Sequence, residues 1–441
     1  MKLADALDVQ RGDIVAFVGA GGKTSALFCL AGELVERGWR VVTTTTTRMA
    51  ASERLLAPAT LTADQMDQME AALARTSHVF VYDRLDDERG KVLGLEPELI
   101  PELAKRADAV LIEADGARRL PLKGPYPHEP VIPVTATLIV PVAGLDAVGQ
   151  PLDGDHVYGA ENIVRCLGST PVVDAALVGS ILSHDRLGLK DVPAKARIAA
   201  LLNKHTPERD AMAEQAASVA LTVDRIDRVV IGAVQQVDPI QRVRRRVGAI
   251  VLAAGLSRRM GEPKVLLPWD EGSTIIRQIV QTTAGTRSFA EMVVVTGQWD
   301  AEIRQQVDGL PVRVVHNPLF DEGEMISSVQ IGLRDLSPHL GAALVVLGDQ
   351  PDLDSAVILQ VLAAYAKTQA PIIAPVFQGR RGHPVLFDRS LWHEILALPR
   401  EAAPRDVLRA HSSETQLVEV DTVSILQDID TPQDYDRARP A

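Results

Sequence analysis

Short apolar runs rich in β-branched residues alternate with helix-like stretches along the first half of the chain. The apolar runs occupy 14–18, 40–46, 79–82, 109–113, 137–142 and 228–234. Helix-like stretches such as 25–37 and 62–75 separate them. Strands that alternate with helices form mostly parallel sheets, because two parallel strands need a crossover connection between them. The pattern therefore predicts an α/β fold.

This alternation stops at 235–246, a polar stretch with a basic cluster from Arg242 to Arg246 that we interpret as a solvated linker. A second series then predicts strands at 247–252, 293–296, 343–347, 372–376 and 384–387. Its predicted helices are 273–284, 299–307, 327–335 and 354–366. Since 441 residues exceed one ordinary core, we predict two Rossmann-like three-layer α/β/α domains with mostly parallel sheets, 1–243 and 244–441.

Composition narrows the class of protein. Hydrophobic residues make up 46% and charged residues 24%, as in a globular protein, and no apolar run approaches the roughly 20 residues of a membrane span. We therefore expect a cytoplasmic protein without membrane contact. The net charge of −12 argues against a nucleic-acid partner. Cys29 and Cys166 lie far apart, so we expect two core thiols and no disulfide or zinc site.

A loop in the second half carries the most informative pattern. Residues 247–264 read VGAIVLAAGLSRRMGEPK, in which an apolar strand leads into a loop with glycines and cations. These loop residues are Gly255, Arg258, Arg259, Gly261 and Lys264. Glycines let backbone N–H groups approach a triphosphate, and the cations neutralise charge during attack at the α-phosphorus. The pattern favours a nucleotidyl-transfer loop over an ordinary turn with exposed basic residues.

Carboxylates follow two further segments of this half. Asp349 lies just past the predicted strand 343–347, and Asp428 and Asp430 lie in the last segment. A carboxylate at a strand end can hold Mg²⁺ against triphosphate oxygens. The alternative for Asp349 is a turn residue that caps the helix after Pro351. The sequence predicts a magnesium site from these carboxylates.

Two other segments contain groups suited to substrate binding. Ser327 and Ser328 open a predicted helix after Gly323, where hydroxyls and free N–H groups can bond a ribose or base. A plain helix N-cap is the alternative there. The loop 379–384 supplies groups for an anion site, although a lone histidine is more often structural. These groups are Arg380, Arg381 and His383.

Together these segments resemble the MobA-like nucleotidyltransferases over about 247–441. The loop fits the LAAGxSxRMGxxK signature of that family, and GDQP and DTPQD fit its metal-binding segments. The Ala-Ala-Gly start is similar to the molybdenum cofactor cytidylyltransferase (MocA-like) branch. The resemblance implies a Mg²⁺-dependent enzyme of the EC 2.7.7 class. Such an enzyme transfers CMP from CTP to the phosphate of molybdopterin, the molybdenum cofactor, and releases pyrophosphate.

The same resemblance assigns roles to residues of this half. The catalytic residues are Lys264, Arg259 and Asp349. The metal ligands are Asp349 and Asp430, the latter favoured over Asp428. The nucleotide-binding residues are Leu252, Ala253, Ala254, Gly255, Ser257, Gly261 and Ser328. The residues for the anionic pterin substrate are Arg380, Arg381 and His383. A sugar-phosphate nucleotidylyltransferase of the same fold is the alternative.

The first half opens with a strand, a glycine loop and a helix. The loop residues are Gly19, Gly21, Gly22, Lys23 and Thr24, a compact GxxGKT form of the P-loop. Its N–H groups and the helix N-terminus cradle phosphates, Lys23 bridges them and Thr24 can bind Mg²⁺. We therefore predict that ATP or GTP binds here.

Other polar groups of the first half cluster after its strands. Glu113 and Asp115 end strand 109–113 at the position of a Walker B carboxylate, with simple strand-end acids as the alternative, and we assign Asp115 as the metal ligand. Thr46, Thr47 and Arg48 are candidates to line the same cleft. The segment 117–130 is predicted either to bind an anionic partner or to be a solvent-exposed loop. Its charged residues are Arg118, Arg119, Lys123, His128 and Glu129.

The motifs GAGGKT, the threonine run 43–47, EADGARRLPLKGPYPHEPVIP and LNK at 202–204 resemble the YqeC family over about 1–235. That family is described as accessory proteins of selenium-dependent molybdenum hydroxylases. The resemblance implies an accessory role in cofactor maturation, with an apo molybdenum hydroxylase as partner. The alternative is a nucleotide-gated scaffold that inserts the cofactor without turnover. Thr206 stands where a GTPase-type NKxD motif needs Asp, which speaks against guanine specificity.

Overall fold

The computed structural model describes residues 1–257, 260–270, 272–321 and 325–439. It divides into two compact units, Met1–Arg244 and Arg245–Ala441, one residue from the predicted boundary. In each unit a β-sheet buries apolar side chains on both faces, and helices cover them. The predicted α/β class with three layers is therefore confirmed.

Residues 1–244, all of which the structure describes, form the first unit. Its strands are β1 (Ile14–Gly19), β2 (Val41–Thr45), β3 (Arg48–Ala50), β4 (Thr60–Thr62), β5 (His78–Tyr82), β6 (Arg84–Asp86), β7 (Lys91–Leu93), β8 (Ala109–Glu113), β9 (Leu138–Gly144), β10 (Arg197–Asn203), β11 (Arg228–Gly232) and β12 (Ile240–Arg244). Its α-helices are α1 (Leu3–Leu7), α2 (Lys23–Glu36), α3 (Met69–Thr76), α4 (Ile100–Ala104), α5 (Ala160–Leu167), α6 (Ala175–Ser183) and α7 (Asp210–Ala220).

The main sheet of this unit has the order β12-β11-β10-β9-β1-β8-β2-β5-β4, and a small separate sheet has the order β3-β7-β6. Neighbours in the main sheet are parallel except β11 and β12. The carboxyl ends of β1, β8 and β2 therefore meet at one edge of the sheet. Ligands bind at this edge in open parallel sheets.

The stretch predicted as a linker is partly a strand. Ile240 and Val243 are buried on β12, which pairs antiparallel with β11. Arg242 forms ion pairs with Asp210 and Glu214 of α7. The interpretation as a solvated linker is wrong for 240–244, because these residues pair with the edge of the sheet through an irregular register that buries both apolar side chains.

The second unit mixes parallel and antiparallel strands. Its strands are β13 (Val247–Ala253), β14 (Pro268–Asp270), β15 (Ser273–Thr274), β16 (Glu291–Thr296), β17 (Arg313–His316), β18 (Ala342–Leu347), β19 (Ile372–Phe377), β20 (Arg380–Arg381), β21 (Val385–Asp388) and β22 (Thr415–Glu419). Its α-helices are α8 (Ile275–Gly285), α9 (Asp300–Gln306), α10 (Met325–Asp335), α11 (Ser355–Thr368), α12 (Trp392–Ala397), α13 (Pro404–Ala410) and α14 (Pro432–Ala438).

The main sheet of this unit has the order β17-β16-β13-β18-β21-β19-β20, with β22 beside β19. The strands from β17 to β18 are parallel, whereas β21 runs antiparallel to both of its neighbours. The central strand β13 has the parallel neighbours β16 and β18. Its carboxyl end leads into the glycine-rich loop, beside the end of β18 that precedes Asp349.

The helices are short for a protein of this size. The two longest described helices, α2 and α11, have 14 residues each, against about 20 for a membrane span. Within the described ranges, none has the length and apolar character to cross a bilayer.

The two cysteines differ from the prediction. Cys29 and Cys166 are unpaired thiols of intermediate exposure, not fully buried core residues. Burial beside Glu33 raises the pKa of the Cys29 thiol to about 12. Since the thiolate is the reactive form, Cys29 is an inert thiol at neutral pH.

We expect the protein to lose stability in mild acid through His78. This residue is buried, its Nε2 lies 2.9 Å from the Thr43 hydroxyl, and burial lowers its pKa from 6.5 to about 4. Between these pH values the unfolded chain takes up a proton that the folded chain does not. The free energy of unfolding should therefore fall by up to about 3 kcal/mol as pH drops through this window.

Thermal unfolding measured from neutral pH down to about pH 4 tests this expectation. His78→Gln keeps a polar side chain but has no charge to gain, so the variant should show a shallower decline than the parent. Equal slopes in the two proteins would contradict the role given to His78.

Two candidate nucleotide sites

The glycine loop of the first unit joins the central strand β1 to helix α2. Gly19, Gly21 and Gly22 have φ values of 89°, 85° and 113°, which side chains rarely adopt. A Cβ on Gly21 would lie 2.1 Å from the backbone nitrogen of Gly144. The loop therefore requires glycine for its conformation and for its packing against the end of β9.

Asn203, the first polar residue of the LNK motif, holds this loop from behind. Its buried side chain donates from Nδ2 to the Gly21 carbonyl at 2.9 Å and accepts at Oδ1 from the Val234 N–H at 3.1 Å. The next residue, Lys204, forms an ion pair with Asp146 at 2.7 Å. Asn203 thus supports the loop and does not face a nucleotide base.

Lys23 begins α2 and is buried. Its Nζ donates to the Gly19 carbonyl at 2.6 Å and lies 3.2 Å from Asp115 Oδ1. Burial opposes the charge, but the carboxylates of Asp115, Glu113 and Glu129 together outweigh it and raise the pKa of Lys23. Lys23 therefore carries a positive charge at the start of the helix.

Asp115, predicted as a metal ligand, contacts a lysine through each of its carboxylate oxygens. Besides Lys23, its carboxylate accepts the Gly19 N–H at 3.0 Å and forms an ion pair with Lys123 at 3.0 Å. Lys123 is itself buried and pairs with Glu129 at 2.9 Å. These residues form an internal network that braces the loop, so Lys123 and Glu129 are not available to an anionic partner. Arg118, Arg119 and His128 are exposed.

Glu113, the other predicted acid at the end of β8, contacts the start of α2. The Thr24 hydroxyl donates to Glu113 Oε2 at 2.6 Å. Burial raises the pKa of Glu113, and Lys23 and the Thr24 hydrogen bond partly counter this effect. A hydroxyl and a carboxylate in contact are hard oxygen donors, which fit Mg²⁺. The structure therefore favours Thr24 and Glu113, and not Asp115, as the magnesium side of this loop.

The loop opens into a cavity of about 630 Å³. Its charged lining residues are the cations Lys23, Arg48, Lys91, Arg118, Arg119 and Lys204 and the acids Glu53 and Glu113. Arg48 lines the cavity as predicted. Thr46 does not, because its hydroxyl donates to the Val131 carbonyl at 2.7 Å, and Thr47 also lies outside the lining. The volume lies in the range of small-molecule sites.

The loop after β13 forms the core of the second site. The Ser257 hydroxyl accepts the Lys264 N–H at 3.1 Å, and the Ser257 carbonyl accepts the N–H groups of Met260 and Gly261 at 3.0 and 3.2 Å. The buried Met260 side chain anchors the loop, and Gly255 is exposed. The predicted Arg258 and Arg259 lie outside the described residues. Leu252 is partly buried, and Ala253 and Ala254 are buried.

Lys264 brings two of the predicted carboxylates together. Its Nζ lies 2.6 Å from Asp349 Oδ2 and 2.9 Å from Asp430 Oδ1. Burial opposes the charge, but Asp349 and Asp430 raise the pKa of Lys264. Lys264 thus lies between two carboxylates, just past the central strands. A phosphate oxygen can replace one of these carboxylates as the partner of the ammonium group, or contact it beside them.

These carboxylates have the donor chemistry for Mg²⁺. Asp349 and Asp430 supply hard oxygen ligands at one point. No group of three or more His, Cys, Asp or Glu that could hold a metal occurs in the part of the chain that the structure describes. Mg²⁺ usually keeps few protein ligands and takes others from substrate phosphates. The two aspartates fit this partial ligand set.

Asp428, the alternative to Asp430, points elsewhere. Its Oδ1 accepts from Gln350 Nε2 at 2.7 Å. Burial and the nearby Asp349 raise the pKa of Asp428. The Ile429 N–H donates to the Asp349 carbonyl at 3.0 Å and fixes the last segment beside β18. Asp428 therefore holds this segment in place while Asp430 faces Lys264.

Ser328 was predicted to contact the nucleotide. Both Ser327 and Ser328 are buried, and each hydroxyl lies 3.0 Å from Asn317 Nδ2. Sequence reasoning missed Asn317, which sits in the HNP segment after β17 and fixes the start of α10. These hydroxyls therefore have an internal role, and Gly323 lies outside the described residues.

A cavity of about 410 Å³ in the second unit includes part of the predicted anion site. Arg381 and His383 line it together with Arg405, which no motif indicated, over apolar residues such as Val345 and Phe387. Burial lowers the pKa of His383 to about 4, so the ring is neutral at pH 7 and can only hydrogen-bond. Arg380 is exposed and does not line this cavity.

Comparison with known proteins assigns a family to each unit. Residues 15–161 match the family described as YqeC protein, and residues 249–415 match the family described as MobA-like NTP transferase domain. The chain is 32% identical over 240 residues to "Uncharacterized protein YqeC" of Escherichia coli K12, an alignment that covers 53% of this chain and 92% of that protein.

Two relatives align with the second unit. A "Molybdenum cofactor cytidylyltransferase" of Escherichia coli K12 is 25% identical over 194 residues, which cover 44% of this chain and 95% of that protein. A "Probable molybdenum cofactor guanylyltransferase" of Bacillus cytotoxicus is 33% identical over 139 residues, which cover 31% of this chain and 64% of that protein. The two relatives differ in the nucleotide that their names state.

Proposed function

Since this chain belongs to the YqeC family in its first half and carries a MobA-like NTP transferase domain in its second, we propose that it matures the cofactor of molybdenum hydroxylases. The second unit would transfer CMP from CTP to the phosphate of the molybdenum cofactor. The observation that carries this proposal is the contact of Lys264 with both Asp349 and Asp430 beside the loop after β13.

The proposed reaction needs no covalent enzyme intermediate. An oxygen of the pterin's terminal phosphate attacks the α-phosphorus of CTP, and the bond to pyrophosphate breaks. The nucleophile is already anionic, so positioning and charge stabilisation supply the catalysis. Lys264 would neutralise phosphate charge, and Asp349 and Asp430 would hold Mg²⁺. When bound, the metal neutralises charge on the triphosphate oxygens.

We place the pterin in the cavity lined by Arg381, His383 and Arg405. Its apolar floor suits a flat heterocycle, and two guanidinium groups suit the phosphate. The neutral His383 ring can hydrogen-bond pterin polar atoms. A sugar-phosphate acceptor is the rival, and the apolar share of the lining speaks for the pterin.

We expect the intact chain to prefer CTP over GTP and ATP. The Ala253-Ala254-Gly255 start of the loop supports this choice. Because these side chains are small, the backbone there can contact the nucleotide base and discriminate between bases. The measurement incubates the protein with molybdenum cofactor and an equimolar mixture of the three nucleotides, and identifies the dinucleotide by mass. A guanine dinucleotide as the main product would reassign the specificity of this site.

For the first unit we propose that the glycine loop binds Mg²⁺ with ATP or GTP. The bound nucleotide would serve the maturation of an apo molybdenum hydroxylase, the proposed partner. The charged Lys23 at the start of α2 and the contact of Thr24 with Glu113 support it. A scaffold that binds the nucleotide without turnover uses the same residues. Nucleotide hydrolysis that depends on Lys23 distinguishes an enzyme from such a scaffold.

A further inference from the structure

Behind the glycine loop of the first unit, two lysines and two acids alternate in what we call the buried ion-pair row. Its members, in order, are Lys23, Asp115, Lys123 and Glu129, with 3.2, 3.0 and 2.9 Å between the paired atoms. All four side chains are buried. Positive and negative charges are equal in number within the row, so the loss of one member leaves an uncompensated charge on its neighbour.

Lys23 uses only part of the hydrogen-bonding capacity of its ammonium group. Among the residues that the structure describes, its Nζ donates one hydrogen bond, to the Gly19 carbonyl, although an ammonium group has three donors. Asp115 Oδ1 lies 3.2 Å away, but this oxygen has no well-directed hydrogen bond within the described chain. Since Lys23 also lines the cavity in front of the loop, its remaining donors are available to a phosphate oxygen.

The other oxygen of Asp115 is held more firmly. Asp115 Oδ2 accepts the Gly19 N–H at 3.0 Å and lies 3.0 Å from Lys123 Nζ. Lys123 is fixed in turn by its ion pair with Glu129 and by the Tyr158 ring, whose centroid lies 4.9 Å from Nζ. Lys123 is outside the lining of the cavity. Its charge can therefore influence a ligand in the cavity only through Asp115.

A bound triphosphate would compete with Asp115 for the charge of Lys23. The phosphate and the carboxylate would both contact one ammonium group, and two anions so close together in a buried site repel each other. Lys123 compensates the charge of Asp115 from outside the cavity. With Lys123 present, Lys23 can contact a phosphate without leaving Asp115 as an unpaired buried anion, which is strongly unfavourable.

We propose that Lys123 is a positioning residue for nucleotide binding, because it compensates the charge of Asp115 and so frees Lys23 to contact the phosphates. This inference rests on the nucleotide binding proposed for the first unit. It gives a role in phosphate binding to a buried lysine that touches no nucleotide. Removal of this lysine should weaken phosphate binding through Asp115, and removal of the Asp115 charge should reverse the loss.

Calorimetry on the full chain with Mg²⁺ and the β,γ-imido analogue of ATP tests this role. The binding event that Lys23→Ala removes reports on the first unit. Lys123→Met keeps an apolar stem beside Tyr158 but removes the charge, so it should weaken this event at least about tenfold. Asp115→Asn keeps an oxygen acceptor for the Gly19 N–H. In the Lys123→Met background it should restore the affinity to within about threefold of the parent.

The matched control is Glu129→Gln, which removes the other partner of Lys123 and keeps an oxygen acceptor for the Tyr126 N–H. Lys123 remains beside Asp115 in this variant, so the affinity should stay within about threefold of the parent. Asp115→Asn alone removes the anion that competes for Lys23, so it should bind the analogue at least as tightly as the parent. This variant decides the question even where Lys123→Met does not fold.

Three results would overturn the inference. Unchanged affinity in a folded Lys123→Met protein would show that the loop does not depend on this charge. An equal loss in Lys123→Met, in Glu129→Gln and in the double variant would show that the row only supports the fold of the loop. Weaker binding by Asp115→Asn alone would show the same. If Lys23→Ala removes no binding event, the proposed nucleotide site is refuted and the inference with it, an outcome distinct from the other three.

Discussion

Lys264→Ala and Asp349→Ala should each lower nucleotidyl transfer at least about a hundredfold. Lys264 supplies the cation beside the loop after β13, and Asp349 supplies one of the two carboxylates that contact this cation. Each substitution removes a charge aimed at the reacting phosphates, and the loss of one such group typically costs this much. Pyrophosphate release from CTP in the presence of molybdenum cofactor measures the effect.

Two controls separate catalysis from folding. Lys367→Ala removes an exposed lysine from α11 of the same unit and should leave turnover unchanged. Asp349→Asn keeps the shape of the side chain, so a folded Asp349→Asn protein with the same loss attributes the effect to charge. Turnover close to that of the parent in Lys264→Ala would exclude this site as the catalytic centre.

Lys23→Ala should remove nucleotide binding at the first unit and leave cytidylyl transfer within roughly threefold of the parent. The two glycine loops follow strands of different sheets, and sites without shared partners are close to additive. Calorimetry on the full chain should show two nucleotide-binding events, of which Lys23→Ala removes one. Transfer is measured in the same preparations.

The matched control is Lys2→Ala. It removes an exposed lysine that pairs with Glu36, at the far end of the helix that Lys23 begins. It should retain both binding events. Because Lys23 neutralises the buried Asp115, circular dichroism must show that Lys23→Ala is folded. A folded Lys23→Ala protein without transferase activity would refute independence and indicate a nucleotide-gated coupling between the units.

Continuous apolar strands were predictable from the sequence, because strands buried on both faces are apolar throughout. Strands β1, β8, β13 and β18 are of this kind. Strand β12 was mistaken for a linker because Arg242 forms ion pairs with α7. The sequence alone does not show these contacts. Strand β22 was missed because its side chains are mostly exposed and its sequence, TQLVE, is short.

The candidate sites were predictable only as far as they are local. Glycines and cations in one loop indicate phosphate binding, and their spacing is visible in the sequence. Which of Glu113 and Asp115 faces the cavity depends on Lys123, which comes from another segment. The roles of Asn203, Asn317 and Arg405 likewise arise from tertiary contacts, so no local pattern could have assigned them.

The proposed activity of the second unit requires the pterin phosphate as its acceptor. The most direct measurement supplies CTP and Mg²⁺ with either molybdenum cofactor or a sugar 1-phosphate, and follows pyrophosphate release and product mass together. We predict release only with the cofactor, and a product whose mass is that of the cofactor plus CMP. Release with the sugar phosphate and none with the cofactor would contradict it.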